Sequence, residues 1–151
     1  MALVISDDTT IRDYERAYGP FVHMSKEEQA IWLRFLIQGG TRFAPFAYDV
    51  RVGDGLIMPP GSSSFAINAA AALTTKRIDV LFFENDVAVI TEVKRRAGLG
   101  AIGQLIGYRD LYLKTPGVTH PAAMLLVTDE LQPDMEALLE TNGIRWSTVG
   151  L

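Results

Sequence analysis

Two carboxylates and an ammonium fall close together in "RIDVLFFENDVAVITEVKRR", residues 77–96, a stretch that is otherwise apolar. They are Asp79, Glu92 and Lys94. Asn85-Asp86 fits a two-residue primed turn, because Asn tolerates positive φ. That turn pairs Glu84 with Val87, and so sets Asp79 opposite Glu92 and Arg77 opposite Lys94. Alternate residues of a strand share a face, so all four would point the same way. Opposed side chains have Cβ atoms about 5 Å apart. Two carboxylates at that distance repel, and at least one should hold its proton to unusually high pH. A divalent cation, Mg²⁺ or Mn²⁺, would remove the conflict, since such ions take hard oxygen ligands. A three-residue turn would instead move Asp79 to the other face unless a bulge intervened.

The chemistry that suits this set is phosphodiester hydrolysis. A metal polarises a phosphoryl oxygen and acidifies a bound water. A lysine beside it can orient that water or stabilise charge in the transition state. Exposed cross-strand ion pairs would explain the same charges without any function. Against that, "VLFF" and "VAVI" are apolar on both faces, as in a hairpin covered on both sides. Charges at one end of such a hairpin sit at a sheet rim.

The flanking elements must present this rim. "MSKEEQAIWLRFLIQGG" reads as a helix, with Ser25 and Glu28 as a capping box and Gly39-Gly40 as the stop. "RFAPFAYDVRVGDG" alternates, which puts Phe46, Tyr48, Val50 and Val52 on one face of a strand and Asp49 and Arg51 on the other. A Gly, Pro and Ser-rich loop follows, then a short helix in "FAINAAAALTT". After the hairpin, "GLGAIGQLIGYRDLYLK" has helical spacing despite three glycines. A buried strand in "PAAMLLVTD", a helix in "QPDMEALLETNG" and a strand in "IRWSTV" complete the order. Residues 1–20 show no clear element. The β-helix-β tail implies parallel pairing beside an antiparallel hairpin. The expectation is an α/β fold, a mixed central sheet flanked by helices, with residues 1–151 forming one domain.

Composition fits that picture. Apolar residues make up 48% and charged ones 21% of 151 residues, an ordinary globular balance. There are no cysteines, which excludes disulfides, thiol catalysis and cysteine-held zinc. No apolar run approaches the roughly 18 residues of a membrane span. The N-terminus lacks the basic start and cleavage site of a signal peptide. A cytoplasmic protein with no membrane partner is expected. The net charge of −4 argues against coating nucleic acid through bulk charge, but Lys76, Arg77, Lys94, Arg95 and Arg96 cluster at the open end of the hairpin.

Asp79, then Glu92-Val93-Lys94 at the end of the next strand, then a helix, resembles the signature of the PD-(D/E)XK nuclease superfamily. In "QLIGY", Gln104 and Tyr108 lie one turn apart on one helix face. The pair resembles the Gln-x-x-x-Tyr motif of the branch containing recombination and CRISPR-associated exonucleases. The resemblance spans roughly residues 25 to 128, and the element order agrees with that superfamily's restriction-endonuclease-like αβββαβ core, with an added helix and strand. It implies a Mg²⁺- or Mn²⁺-dependent deoxyribonuclease. Asp79 and Glu92 would hold the metal, Lys94 would position water or phosphate, and Gln104 and Tyr108 would contact the DNA backbone or hold Lys94. Ile78 stands where the family has a proline. Many members add an acid on the first helix, for which Glu15, Glu27 and Glu28 are candidates, although Glu28 already has a capping role.

Arg77, Arg95 and Arg96 suit phosphate contacts; as a solvated turn Arg95 and Arg96 are equally ordinary. Gly100, Gly103 and Gly107 form a small-residue stripe that could let the helix pack tightly on the sheet or let a phosphate backbone approach; packing is the favoured reading. His23 and His120 are read as structural, and Asp129-Glu130 as favouring the N-terminus of the following helix. The second functional reading is a nuclease-like module that binds nucleic acid or a protein partner without cutting. A chain this short would recognise DNA structure more readily than a long sequence, or depend on dimerisation or a partner.

Overall fold

The computed structural model describes residues 8–150 except Leu56. Residues 1–7, on which the expectation of no signal peptide rests, and Leu56 within the expected loop lie outside the described residues. Helix α1 spans Asp8–Tyr18 and α2 spans Lys26–Ile37. Strand β1 spans Ala47–Val52, and α3 spans Ser64–Thr74. The hairpin strands are β2, Lys76–Glu84, and β3, Val87–Ala97. Then follow α4, Leu99–Leu113; β4, Ala122–Leu131; α5, Met135–Thr141; and β5, Ile144–Thr148.

The five strands form one sheet in chain order. β1, β2 and β3 pair antiparallel, whereas β4 and β5 add parallel. This is the mixed sheet expected, and the change of direction falls at β3. The parallel additions follow from α4 and α5, which carry the chain back across the sheet between strands.

Each face has its own core. α2 brings Ile31, Trp32, Phe35 and Leu36 against Val80, Phe82, Val89, Val93, Leu125 and Val127. On the opposite face, α4 and α5 bring Ile102, Leu105 and Leu139 against Ile78, Ile90, Met124 and Leu126. Covering on both faces explains why β3 and β4 read as continuous apolar runs.

Local signals account for most boundaries. The Ser25 hydroxyl accepts the Glu28 amide at 3.1 Å, and Gly39 closes α2 at φ +113°. Asn85 and Asp86 take φ values of 49° and 66°, the primed turn read from the sequence, with Glu84 opposite Val87. α1 lies within the residues where no element was read. Its apolar positions Ile11, Tyr14 and Tyr18 recur at three and four residues, and Tyr14 and Tyr18 pack on the α2 side.

Three expectations need correction. The glycine stripe of α4 does not pack on the sheet: a Cβ at Gly100, Gly103 or Gly107 would meet open space. The packing face is Ala101, Ile102 and Leu105 instead. Asp129-Glu130 lies inside β4; Asp129 pairs with Arg34 of α2 at 2.6 Å and Glu130 with Arg96 at 3.7 Å. The long cationic side chains reached these carboxylates first, whereas α5 begins only at Met135.

The third concerns alternation. In β1, Tyr48 packs on the α2 face but Val50 and Val52 on the α4 face. In β2, Ile78 packs on the α4 face but Val80 on the α2 face. Both strands change face at one point, between partners Tyr48–Val80 and Val50–Ile78. Asp49, with φ +54°, and Asp79 occupy that point. The single-faced strand expected over 46–52 is therefore two half-strands of opposite sense.

Candidate active site

The sheet delivers its charged residues to the end where β2 begins and β3 finishes. The β2–β3 ladder runs from Glu84–Val87 to Val80–Thr91. Beyond it, the Asp79 side chain replaces a backbone acceptor: its Oδ2 takes the Val93 amide at 2.9 Å. Alternation along β3 places Glu92 and Lys94 with Ile90, toward α4. Lys94 Nζ lies 3.2 Å from Glu92 Oε1.

Glu92 is only 3% exposed, among the few buried polar residues. Its Oε2 has no hydrogen-bond partner among the described residues. The Asp79 carboxyl is within reach, but two carboxyls share a hydrogen bond only when one carries a proton. Burial first, and then the Asp79 charge, push Glu92 up to about 8, with Lys94 opposing. Asp79 is also raised, chiefly by burial, against the downward pull of the Val93 amide. Lys94 loses some proton affinity by burial, but Glu92 more than restores it, so its net shift is upward. A buried acceptor without a donor is costly. Ionising both carboxyls would therefore leave more negative charge than Lys94 alone neutralises.

Of the three candidate helix acids, the two on α2 separate from each other. Glu28 of α2 adds to the upward shift of Asp79 and supports the charge on Lys94. Its backbone amide is the one capped by Ser25. Glu27 instead meets Arg95 at 3.6 Å. Among the described residues, no group of three or more His, Asp or Glu is close enough to hold a metal by itself. Asp79 and Glu92 are hard oxygen donors, and Glu92 Oε2 is an acceptor without a donor. They fit an ion that keeps several waters, such as Mg²⁺ or Mn²⁺.

α4 supplies the facing wall. Tyr108 is raised first by burial, then by the charges of Glu92 and Asp79, and Gln104 hydrogen-bonds to it. A cleft of about 310 Å³ opens beside them, lined by Lys94, Arg96, the first turn of α4, Gln104 and Gln132. Arg96 lines the cleft and pairs with Glu130, whereas the largely exposed Arg95 pairs with Glu27 of α2.

Arg77 is placed differently from its expected position opposite Lys94. Its register partner is Arg51 of β1, and its guanidinium meets Asp49 at 3.1 Å. The face change at Asp79 is the reason. Gln132 and Asp49 were not singled out in the sequence. Nothing local marks Gln132, which reaches the cleft through the β3–β4 pairing. Asp49 was visible only as a charged residue in an apolar alternation.

The chain forms a mixed five-stranded sheet with helices on both faces, an α/β fold with an acidic pair and a lysine at the rim of its sheet. Residues 66–150 match the endonuclease NucS C-terminal domain, and the chain belongs to that family. No curated protein matches the chain. Among solved structures, it is similar to an EndoMS–double-stranded DNA complex, at 21% identity over 82% of this chain and 44% of that one, with a TM-score of 0.47. It is also similar to a repair endonuclease from Pyrococcus abyssi, at 19% identity over 87% of this chain and 50% of that one, with a TM-score of 0.44. The chain thus spans about half the length of these structures. No helix among the described residues is long and apolar enough to cross a membrane.

Proposed function

We propose that this chain is a Mg²⁺- or Mn²⁺-dependent DNA nuclease that hydrolyses phosphodiester bonds at the Asp79–Glu92–Lys94 site. The observation that carries the reading is the buried Glu92 carboxylate, whose Oε2 has no donor beside a second raised carboxyl. Membership of an endonuclease family supports the reaction class.

Asp79 and Glu92 would hold the ion. When bound, it supplies Lewis-acid polarisation of a phosphoryl oxygen and a more acidic water. Glu92 and Asp79 must both be ionised to bind it, so binding releases protons from these raised groups. Lys94, anchored by Glu92 Oε1, orients the attacking water or stabilises charge on the phosphate. Glu28 adds negative potential from α2. Gln104 and Tyr108 line the substrate side, with Tyr108 fixed by Gln104. Arg95 and Arg96 contact phosphates at the rim, and Arg77 adds positive charge at the same end of the sheet. The Gln104–Tyr108 pair keeps its resemblance to the Gln-x-x-x-Tyr branch as part of this reading. The preference would be for a DNA structure, read by a dimer or with a protein partner.

Calorimetry with Mn²⁺ tests the metal: the wild type should bind one ion, and Asp79→Asn much more weakly. A cleavage assay on single-stranded, duplex and branched DNA with Mg²⁺, Mn²⁺ or EDTA tests the activity. Cleavage that survives EDTA would refute metal dependence. DNA binding without cleavage under every condition would establish the non-catalytic module instead.

A further inference from the structure

The face change in β1 and β2 sits directly beside the site and has a specific cause. Asp49 has φ +54°, a left-handed conformation in which side chains with a Cβ are disfavoured. Asp is among the residues that tolerate it best. Such conformations persist only where the surroundings impose them, and they gather at functional sites. Here the surroundings are an ion pair: Arg77 Nη1 meets Asp49 Oδ2 at 3.1 Å. His23 Nε2 lies 3.3 Å from the same carboxylate. Arg77 is two residues before Asp79, and Asp49 lies across from Asp79 between two bridged pairs.

The consequence falls on Asp79. With regular alternation, Ile78 and Val80 could not pack on opposite faces of the sheet, as they do. At this irregular step the Asp79 carboxylate lies toward β3, where it accepts the Val93 amide and meets Glu92. We infer that Asp49, through its left-handed backbone conformation, is a positioning residue for Asp79. It would set the geometry of the acidic pair without touching metal or substrate. This inference rests on the proposed metal site.

The test compares three variants by Mn²⁺ calorimetry and by hydrogen exchange of the Val93 amide. Asp49→Val disfavours positive φ through its branched Cβ, whereas Asp49→Gly allows it without the carboxylate. Asp49→Val should weaken Mn²⁺ binding by about tenfold or more, the usual scale for residues that orient ligands. It should also lose protection at Val93, while Asp49→Gly stays close to wild type in both. If Asp49→Val does not fold, Asp49→Ala carries the same conformational penalty in milder form and should shift both readouts the same way.

A folded Asp49→Val protein with wild-type Mn²⁺ affinity and Val93 protection would overturn the inference. Equal losses in Asp49→Gly and Asp49→Val would overturn it too, because conformation would then not be the cause. If the wild type binds no Mn²⁺, the metal reading fails alone. Val93 protection still decides whether Asp49 positions Asp79.

Discussion

Lys94 Nζ stands 3.2 Å from Glu92 Oε1, two residues along one strand and on one face of it. The contact neutralises one oxygen of a buried carboxylate and leaves the other without a donor. Lys94 itself remains about one-third exposed, at 36% for its side chain, so its ammonium can reach a substrate from the rim. The pair is thus half a salt bridge and half an open position, and the consequences can be measured.

Lys94→Ala should lower cleavage by two or more orders of magnitude, about 3 kcal/mol of transition-state stabilisation. Stability should change little, because Glu92 answers the loss of its cation by keeping its proton. Mn²⁺ binding should persist. A lysine with only a structural role would give the reverse: a lower melting temperature, with activity falling only in proportion to the folded fraction. Melting temperature, Mn²⁺ affinity and cleavage rate on this one variant separate the two.

The raised Glu92 makes stability depend on pH with a definite sign. Its folded pKa of about 8 exceeds its ordinary value of 4.5, so the folded state binds the proton more tightly than the unfolded chain. Its contribution to stability is therefore complete below about pH 4.5 and is lost as pH rises toward 8. Asp79, also raised, acts in the same direction. Metal-free protein should melt at progressively lower temperature between about pH 5 and 8, with a slope of up to about 1.4 kcal/mol per pH unit for each group. Added Mn²⁺ should flatten the trend, and Glu92→Gln should reduce it. A melting temperature that rises over this range in EDTA would contradict the burial of an ionisable Glu92.

Among the described residues, Arg95 and Arg96 pair with exposed acids, interactions of little energetic worth. Replacing both by alanine should leave the fold intact. It should weaken DNA binding for all sequences and flatten the salt dependence, by about one unit of slope for each phosphate that is no longer neutralised. Binding titrations at several salt concentrations on two unrelated duplexes would check this. A loss confined to one sequence would mean that the arginines read bases.

The hairpin and most of what it carries are written in short-range sequence. Asn85-Asp86 adopts positive φ at both positions, a local property of those residues, and the register follows from the turn. Apolar runs marked β3 and β4 as covered strands, and a short-range capping bond set the start of α2. Strand periodicity and that turn bring Asp79, Glu92 and Lys94 into one neighbourhood, whereas the final direction of the Asp79 carboxylate belongs to the irregular step beside Asp49. Gln104 and Tyr108 needed only helical spacing.

Other features depend on residues far apart in the chain. Which α2 glutamate acts on Asp79 depends on how α2 lies across the sheet, where Trp32 and Phe35 join the core of Val80 and Val93. Arg77 went to Asp49 because β2 changes face beside it, a feature shared by two strands and invisible in either alone. Alternation predicts faces only while the backbone stays regular, and Asp49 with Asp79 is where it does not. The open glycine stripe of α4 followed from the helix's rotation on its axis, which Ala101, Ile102 and Leu105 fixed by being the better residues to bury. Local periodicity can name the residues of a site; their final directions come from long-range packing that places each element against the others.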